Sequence, residues 1–525
     1  MKNAVVFFAL LVAATPCVAR IITVDANGTG DYPTIQAAID DANNGDTVQL
    51  LPGRYTGPGN RDVDFKGKAI TVRSTDPKEP NIVAATVLEG EWIDTDCGGH
   101  RGFNFRSGEG RDSVLAGVTI TRFMAPCELM LSDEPVPAGG GIFCEDSSPT
   151  ISHCVLKDNL ACLDGLFSSF PSFGGNICCK GNCGLKITHS TITGGFSSLG
   201  AGGIDCLYSS GDMEITHCII KDNWGKFGWG GIACASGTIS NCIISDNMGG
   251  CVGGISSVGS ITHCTVTGNI CYSGSGAGIL AHWGTTISHC TIDNNLSCGR
   301  GGGIYCTSGY STSGKTTISY CTITNNSALS GEYYYVWRDG EGGGIYCDDP
   351  NILITTSTIA NNQADANAGG IYGSPTLTNC ILWGNSCPNE PHILGEPNIS
   401  YSDVQDGYPG EGNIDADPCF ADADNGDYHL KSQAGRWDAN EGRWAIDDVT
   451  SPCIDAGDPM SPIGLEPFPN AGIINMGAYG GTAEASKSYF GKPPCETIVA
   501  GDVNGDCEVD FEDFRLMGLH WLEAG

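Results

Sequence analysis

The chain of 525 residues carries 76 Gly, and only 26 Lys plus Arg against 60 Asp plus Glu. So little positive charge excludes nucleic-acid binding as a main role, and 40% apolar residues with no Gly-X-Y period exclude collagen and disorder. The acidity is uneven: residues 386–525 hold 26 acidic and 6 basic residues, so the last quarter differs in kind from what precedes it.

The first residues are Lys2, an apolar run from Ala4 to Ala14, and small residues ending in Cys17-Val18-Ala19 before Arg20. The run is too short to span a bilayer and reads as an export signal over residues 1–19. Pro16 stands where a lipoprotein signal needs a small residue, which argues against lipidation of Cys17. No later stretch is long and apolar enough to span, so the mature chain is expected to be secreted, extracellular or on the cell surface. In Asp31-Tyr32-Pro33-Thr34-Ile35-Gln36-Ala37-Ala38-Ile39-Asp40, the residues Ile35, Ala38, Ile39 and Ala42 fall at i, i+3, i+4, i+7 and predict a helix. Gly45 to Leu50, Ala69 to Arg73 and Ser113 to Thr121 then read as short strands.

From residue 138 two phrases alternate. The first is Gly-Gly-Ile-x-Cys, at Gly140 to Cys144, Gly202 to Cys206, Gly230 to Cys234, Gly302 to Cys306 and Gly343 to Cys347, with weaker copies at Gly253, Ala277 and Gly369. The second is Ile-Ser/Thr-His-Cys-x-Ile, with Cys154, Cys218, Cys264 and Cys290 and relatives at Ser190, Cys242, Cys321, Ser357 and Cys380. An Asn follows within a few residues: Asn159, Asn223, Asn247, Asn269, Asn295, Asn326, Asn362 and Asn385. The units contain only short β-branched runs and no 3.6-residue period, which excludes helical solenoids. One such unit cannot bury its apolar face, but units stacked one coil per repeat form parallel sheets around a continuous interior.

In the first phrase Ile and Cys are two apart and share the inward face. In the second, Ile and Cys are three apart, so the chain must bend at His153, His189, His217, Asn241, His263, His289 or Asn379 for both to point inward. The His and Cys columns repeat at the rung spacing, without the closed tetrahedral set that Zn requires, so the Cys are small buried hydrophobes. Cysteines off the columns, such as Cys419 with Cys453, are the candidates for a disulfide in an exported chain.

This pattern over roughly residues 20–385 resembles the right-handed parallel β-helix of the pectin-lyase-like superfamily. The resemblance implies an all-β solenoid, with the Ile35 to Ala42 helix capping its open end. It also implies a long groove suited to a polymer, although fold alone does not give activity. No pectin-type catalytic signature is matched. The stretch from Ile399 to Gly481 resembles the C-terminal region of exported proteins of Planctomycete-type bacteria and reads as an acidic cap module, residues 386–485. A linker over residues 486–500 follows. In residues 501–525, Asp502, Asn504, Asp506, Glu508, Asp510 and Asp513 have the spacing of an EF-hand loop for Ca²⁺, with a helix from Phe514 to Leu522. The segment resembles half of a type I dockerin, which implies a cohesin-like scaffold or surface protein as partner. Cys507 replaces the usual turn Gly, and the second loop is missing.

The outward x of the first phrase is Tyr305, Tyr346 and Tyr372 in the last coils, and the insertion carrying Trp337, Arg338 and Asp339 enters just before Tyr346. These six residues are the candidate polysaccharide-binding set, with rings expected to lie on sugar faces; the same Tyr also serve a purely structural stack. Two functions stay open. One is a secreted polysaccharide-active protein, a lyase or glycoside hydrolase. The other is a non-catalytic cell-surface, structural or adhesive β-helix. The coils carry few basic residues, which favours a neutral or Ca²⁺-bridged glycan over a bare polyuronate.

Overall fold

The computed structural model describes residues 19–91, 99–131, 134–161, 172–307, 314–333, 336–348, 351–389, 391–489, 503 and 509–523. From Ile21 to Val404 the chain coils as a parallel β-helix. Among the described residues, four parallel sheets run along the stack, and each full coil visits them in order. Sheet 1, with 12 strands, carries the Gly-Gly-Ile-x-Cys phrases; sheet 2, with 14, carries the Ile-Ser/Thr pairs; sheet 3, with 13, carries the residues after the Cys; sheet 4 is seven two-residue strands after the Asn.

The register stacks like on like. Sheet 1 aligns Ile142, Ile177, Ile204, Ile232, Ile255 and Ile279 in one column. Sheet 2 aligns Ile187, Ile215, Ile239, Ile261 and Ile287, and sheet 3 aligns Ile192, Ile220, Ile244, Val266 and Ile292. These side chains are buried in one continuous core, each contributing about 1.5–3 kcal/mol on leaving water.

The bend required by the three-residue spacing is present. His153, His189, His217, Asn241, His263, His289 and Asn379 all have φ between 50° and 58°, a left-handed conformation that His and Asn enter more readily than most residues. It turns the next residue inward, so Cys154, Cys218, Cys264 and Cys290 join the core. Burial pushes the thiols of Cys154 and Cys380 up to about 12, so they pack as neutral hydrophobes.

Helix α1 (Ile35–Asp41) begins at Thr34, whose Oγ1 accepts the Ala37 N–H at 3.3 Å, and its Ile35, Ala38 and Ile39 enter the core. A second short helix, α2 (Pro80–Ala85), starts with Pro at its first position.

Three expectations need correction. Coiling continues past residue 385 through Ile393–Leu394, Asn398–Ser400 and Asp403–Val404. This last coil keeps inward Ile399 and Val404 but lacks the Gly-Gly-Ile-x-Cys phrase that would have marked it. The acidic segment also does more than cover the last coil. The loop 405–416 brings Tyr408 against the core end, whereas residues 420–488 lie along the flank of the stack. There the Ala478 N–H donates to Thr358 Oγ1 at 3.0 Å, the Asp458 N–H donates to Asn379 Oδ1 at 2.7 Å, and Leu430, Cys453, Ile454 and Met476 pack on Ile381. Finally, Cys419 and Cys453 are free thiols. The Cys453 Sγ donates to Asp403 Oδ2 at 3.0 Å, while Cys419, half-buried, donates to the Asp417 carbonyl at 3.4 Å. Among the described residues no helix is long and apolar enough to cross a membrane.

Candidate functional site

Tyr305, Tyr346 and Tyr372 are register partners on the outward side of sheet 1. Their rings stack at 5.2 Å between Tyr305 and Tyr346 and at 4.7 Å between Tyr346 and Tyr372. Arg300 lies over the Tyr346 ring at 4.9 Å, and its Nε donates to Glu341 Oε2 at 3.1 Å. Glu341 Oε1 in turn accepts from Asn367 Nδ2 at 3.2 Å. The Tyr305 hydroxyl donates to Asp348 Oδ2 at 2.9 Å. Burial first, and then the Asp348 charge, raise the Tyr305 phenol, and burial raises that of Tyr346 against the pull of Arg300. Both stay protonated donors at neutral pH.

This geometry changes the expected mode of contact. Rings stacked along the coil axis spend their faces on each other, and Tyr346 is only 6% exposed. The column therefore offers edges and hydroxyls to a ligand, not a row of faces. The exposed aromatic face belongs to Trp337, 64% accessible on the hairpin formed by Gly331–Tyr333 and Val336–Arg338. Trp337 Nε1 donates to Asp339 Oδ1 at 3.0 Å, and the Arg338 side chain passes beside Gly299, next to Arg300. Among the described residues Trp337 makes no ring contact with the column.

The earlier part of the same face is closed. Phe143, Cys178, Asp205, Ala233 and Ser256 are all buried at the corresponding outward positions, and Arg101 and Arg106 lie over the Phe143 ring at 4.8 and 4.6 Å. Asp205 accepts the Ala201 N–H at 2.8 Å, and burial pushes its carboxyl up to about 6. The face opens from Leu280 onward, where Leu280, Tyr305 and Tyr372 are partly exposed.

A second concavity escaped the sequence. Between the corner joining sheets 2 and 3 and the flanking segment lies a cavity of about 560 Å³, lined in part by His263, His289, Tyr320, Leu465, Tyr479 and Glu484. His263, His289 and Tyr320 form an outward stack at 4.7 Å per step. Burial and then the neighbouring His263 lower the basicity of His289. Tyr479, pushed up to about 12 by burial, stacks at 3.6 Å on His429, whose Nδ1 lies 2.6 Å from Asp427 Oδ1. Burial pulls the Asp427 carboxyl up, but its bonds to His429 and the nearby charges outweigh this and hold it low. Tyr320 was findable, since it stands in the His position of the second phrase; Tyr479 and Glu484 come from a segment without repeats.

At the chain end, Asp502, Asn504, Asp506 and Glu508 lie outside the described residues. Helix α3 (Phe511–Glu523) starts three residues before the expected Phe514. The cause is at its first turn: buried Asp513 accepts the Asp510 N–H at 2.8 Å through Oδ2 and the Val503 N–H at 2.5 Å through Oδ1. Phe511 and Phe514 are 91% and 72% exposed, while Leu516 is half-buried.

Comparison with known proteins finds two family matches, the first spanning the last coil and the start of the flanking segment. Residues 385–457 match the Disaggregatase related family model, and residues 175–340 match the right handed beta helix region. The chain is similar in structure to the pectate lyase Pel9A, at 13% identity and TM-score 0.33 over 88% of this chain and 96% of that one. It is similar to the PL6 family alginate lyase AlyGC, at 13% identity and TM-score 0.36 over 82% of this chain and 57% of that one. A third neighbour, XylC in complex with xylose, has 11% identity and TM-score 0.35 over 76% and 87% of the two chains. A search of the curated proteins finds no match. The family match and the stacked parallel sheets together make the central part of the chain a right-handed β-helix.

Proposed function

We propose that this is an exported polysaccharide-binding β-helix protein, with its glycan site at the open end of the sheet 1 face. One observation carries the reading: a register-locked line of tyrosines sits beside Arg300, Glu341 and Asp348, next to a hairpin that presents an exposed Trp337. Tyr hydroxyls and charged groups suit sugar hydroxyls, and an indole face suits the apolar side of a pyranose. Arg338 and Asp339 frame the indole. Arg300, held by Glu341 and lying over Tyr346, suits fixing the orientation of a bound sugar, and cleavage by a lyase or hydrolase mechanism is the second reading.

In this proposal residues 1–19 direct export, the coil stack carries the site, and residues 501–525 attach the protein to a partner surface in a dockerin-like manner. Asp502, Asn504, Asp506, Glu508, Asp510 and Asp513 would supply the oxygen-only donor set that suits Ca²⁺. Exposed Phe511 and Phe514 would face a cohesin-like partner.

The test is affinity electrophoresis of the full chain against neutral and uronic polysaccharides, with and without Ca²⁺, while products are followed by reducing ends and unsaturated-bond absorbance. Trp337→Ala and Tyr305→Phe are expected to weaken binding about fivefold or more, the equivalent of ~1 kcal/mol for a lost aromatic contact in the first and a lost hydroxyl hydrogen bond in the second, with melting temperature unchanged. No retention of the parent chain, or equal retention of both variants, overturns the proposal. Product formation would favour the enzymatic reading.

A further inference from the structure

A column of thiols at the rung spacing cannot surround an ion, because its members lie on a line. At one place in the stack the line is broken. Cys144 and Cys179 are register partners in sheet 1, and Cys206 follows in the next coil. Cys183 belongs to neither repeated phrase. It enters from the corner between sheets 1 and 2, just after the turn at Gly181, which has φ 72°. The sulfurs of Cys144, Cys179 and Cys183 all lie within 4.8 Å of one another, and all three residues are buried. Among the described residues, no other group of three His, Cys, Asp or Glu side chains comes together in this way.

We propose that Cys144, Cys179 and Cys183 form a buried three-thiolate site for a soft d¹⁰ cation, Zn²⁺, inside the coil stack, with a water in the fourth position.

Three features support this. The set is all sulfur, which suits Zn²⁺ and excludes hard cations such as Ca²⁺. The pairing of Ile177–Gly181 with Ile204–Ser209 shifts register between Cys178 and Lys180, so Cys179 sits at an irregularity that re-aims side chains. Cys183 is also fixed from behind: its carbonyl accepts the Ser209 hydroxyl at 2.6 Å, and its backbone lies so close to Gly211 that a Cβ there would stand 2.5 Å from it. Zn–S bonds of about 2.3 Å place tetrahedral sulfurs about 3.8 Å apart, so bringing Cys144, Cys179 and Cys183 onto one ion asks for movements of about 1 Å, within reach of thiol rotation. Each of the three coordinating thiols gives up its proton to solvent, because only the thiolate ligates. Uptake during folding therefore releases three protons per ion.

The test uses the full chain, purified without chelator, with zinc measured by plasma mass spectrometry. Cys183→Ser is the decisive variant, since Ser147 and Ser209 already stand at this corner in the adjacent coils. Cys321→Ser, in the other thiol column, is the control. One zinc per chain is expected in the parent and the control, and almost none in Cys183→Ser. After refolding with Co²⁺, the parent and the control should show thiolate-to-cobalt charge transfer and intense tetrahedral d–d bands that Cys183→Ser lacks. A chain without metal whose thiols all titrate as free, a Cys179–Cys183 disulfide seen as the loss of two hydrogens, or equal zinc in parent and Cys183→Ser overturns the proposal.

Discussion

Most coils turn twice on a single residue of positive φ, once between sheets 2 and 3 and once between sheets 3 and 4, and each such turn directs the following side chain into the stack. At the first turn that inward residue is a Cys in most coils and a Ser in others: Ser190, Ser357 and Ser402. At the second it is Asn, from Asn223 through Asn247, Asn269, Asn295, Asn326 and Asn362 to Asn385. The two columns share a backbone and differ in how the inward polar atoms are satisfied. A Cys thiol makes a long bond to a carbonyl two residues back, 3.2 Å for Cys264 to Thr262. An Asn amide uses its whole capacity. Asn247 Nδ2 donates to the Ile220 carbonyl at 2.9 Å and to Asn269 Oδ1 at 3.0 Å, while its Oδ1 accepts the Asn223 N–H and Asn223 Nδ2 at 3.1 and 2.9 Å. The Asn column is a closed chain of hydrogen bonds and tolerates no gap, whereas the Cys column is packing with a weak bond added.

The largest effect is therefore expected from breaking the Asn column. Asn247→Ala leaves the Asn223 N–H and one Asn223 Nδ2 hydrogen without their acceptor and takes the amide donor from the Ile220 carbonyl, while Asn269 Oδ1 keeps the N–H of residue 247, at about 1–3 kcal/mol for each group orphaned. A loss of about 4 kcal/mol, read as a shift in urea midpoint, is the expected outcome; a change below about 1 kcal/mol would mean that packing alone holds both turns.

One coil lacks the Asn and shows that the amide, rather than its position, matters. Gly195 stands in the Asn place, and Asn176 stands where the second Gly of the first phrase normally lies. Asn159 Nδ2 donates to Asn176 Oδ1 at 2.9 Å, and Asn176 Nδ2 donates to Asn223 Oδ1 at 3.1 Å, so the chain of amides is carried across the gap. The exchange explains the glycine. A Cβ on Gly231 would meet the Gly254 carbonyl at 2.6 Å and the Asn247 amide at 3.2 Å, and one on Gly195 would meet Asn176 Nδ2 at 2.4 Å. Gly and Asn share one small space, and the amide enters from one side or the other. Asn176→Gly should cost about 2–3 kcal/mol for the groups it orphans, and adding Gly195→Asn should recover part of that loss. Double-mutant additivity would show that the two positions do not share the space.

Much of this was legible before the coordinates. The three-residue spacing between Ile151 and Cys154 demanded a bend, and the Asn after each second phrase marked the ladder. The Gly-Gly-Ile-x-Cys phrase gave the outward Tyr. What stayed hidden came from contacts with no repeat to announce them: Ala478 against Thr358, Asp458 against Asn379, and the cavity formed with Tyr479. Cys183 was hidden for a related reason, because its neighbours Ser147 and Ser209 carry no thiol to put it in phase. The ring stacking that turned Tyr346 edge-on follows from the rung spacing, and it removes the face contact that side-chain type alone suggested.

The smallest effect is expected at the first turn, and it separates the two columns most sharply. Cys264→Ser introduces a stronger donor into an apolar interior, which would be costly if the hydroxyl found no partner. The coils that already carry Ser show where it goes. Ser190 Oγ donates to the Thr188 carbonyl at 2.9 Å and accepts the Cys154 N–H at 3.1 Å; Ser357 and Ser402 make the same pair of bonds. At position 264 the equivalent acceptor is the Thr262 carbonyl and the equivalent donor the Cys242 N–H. The variant should stay within about 1 kcal/mol of the parent, since two bonds of about 1 kcal/mol each offset the lost burial of sulfur. A loss as large as that of Asn247→Ala in the same urea titration would put the thiol column on the same footing as the amide chain and end the distinction between the two turns.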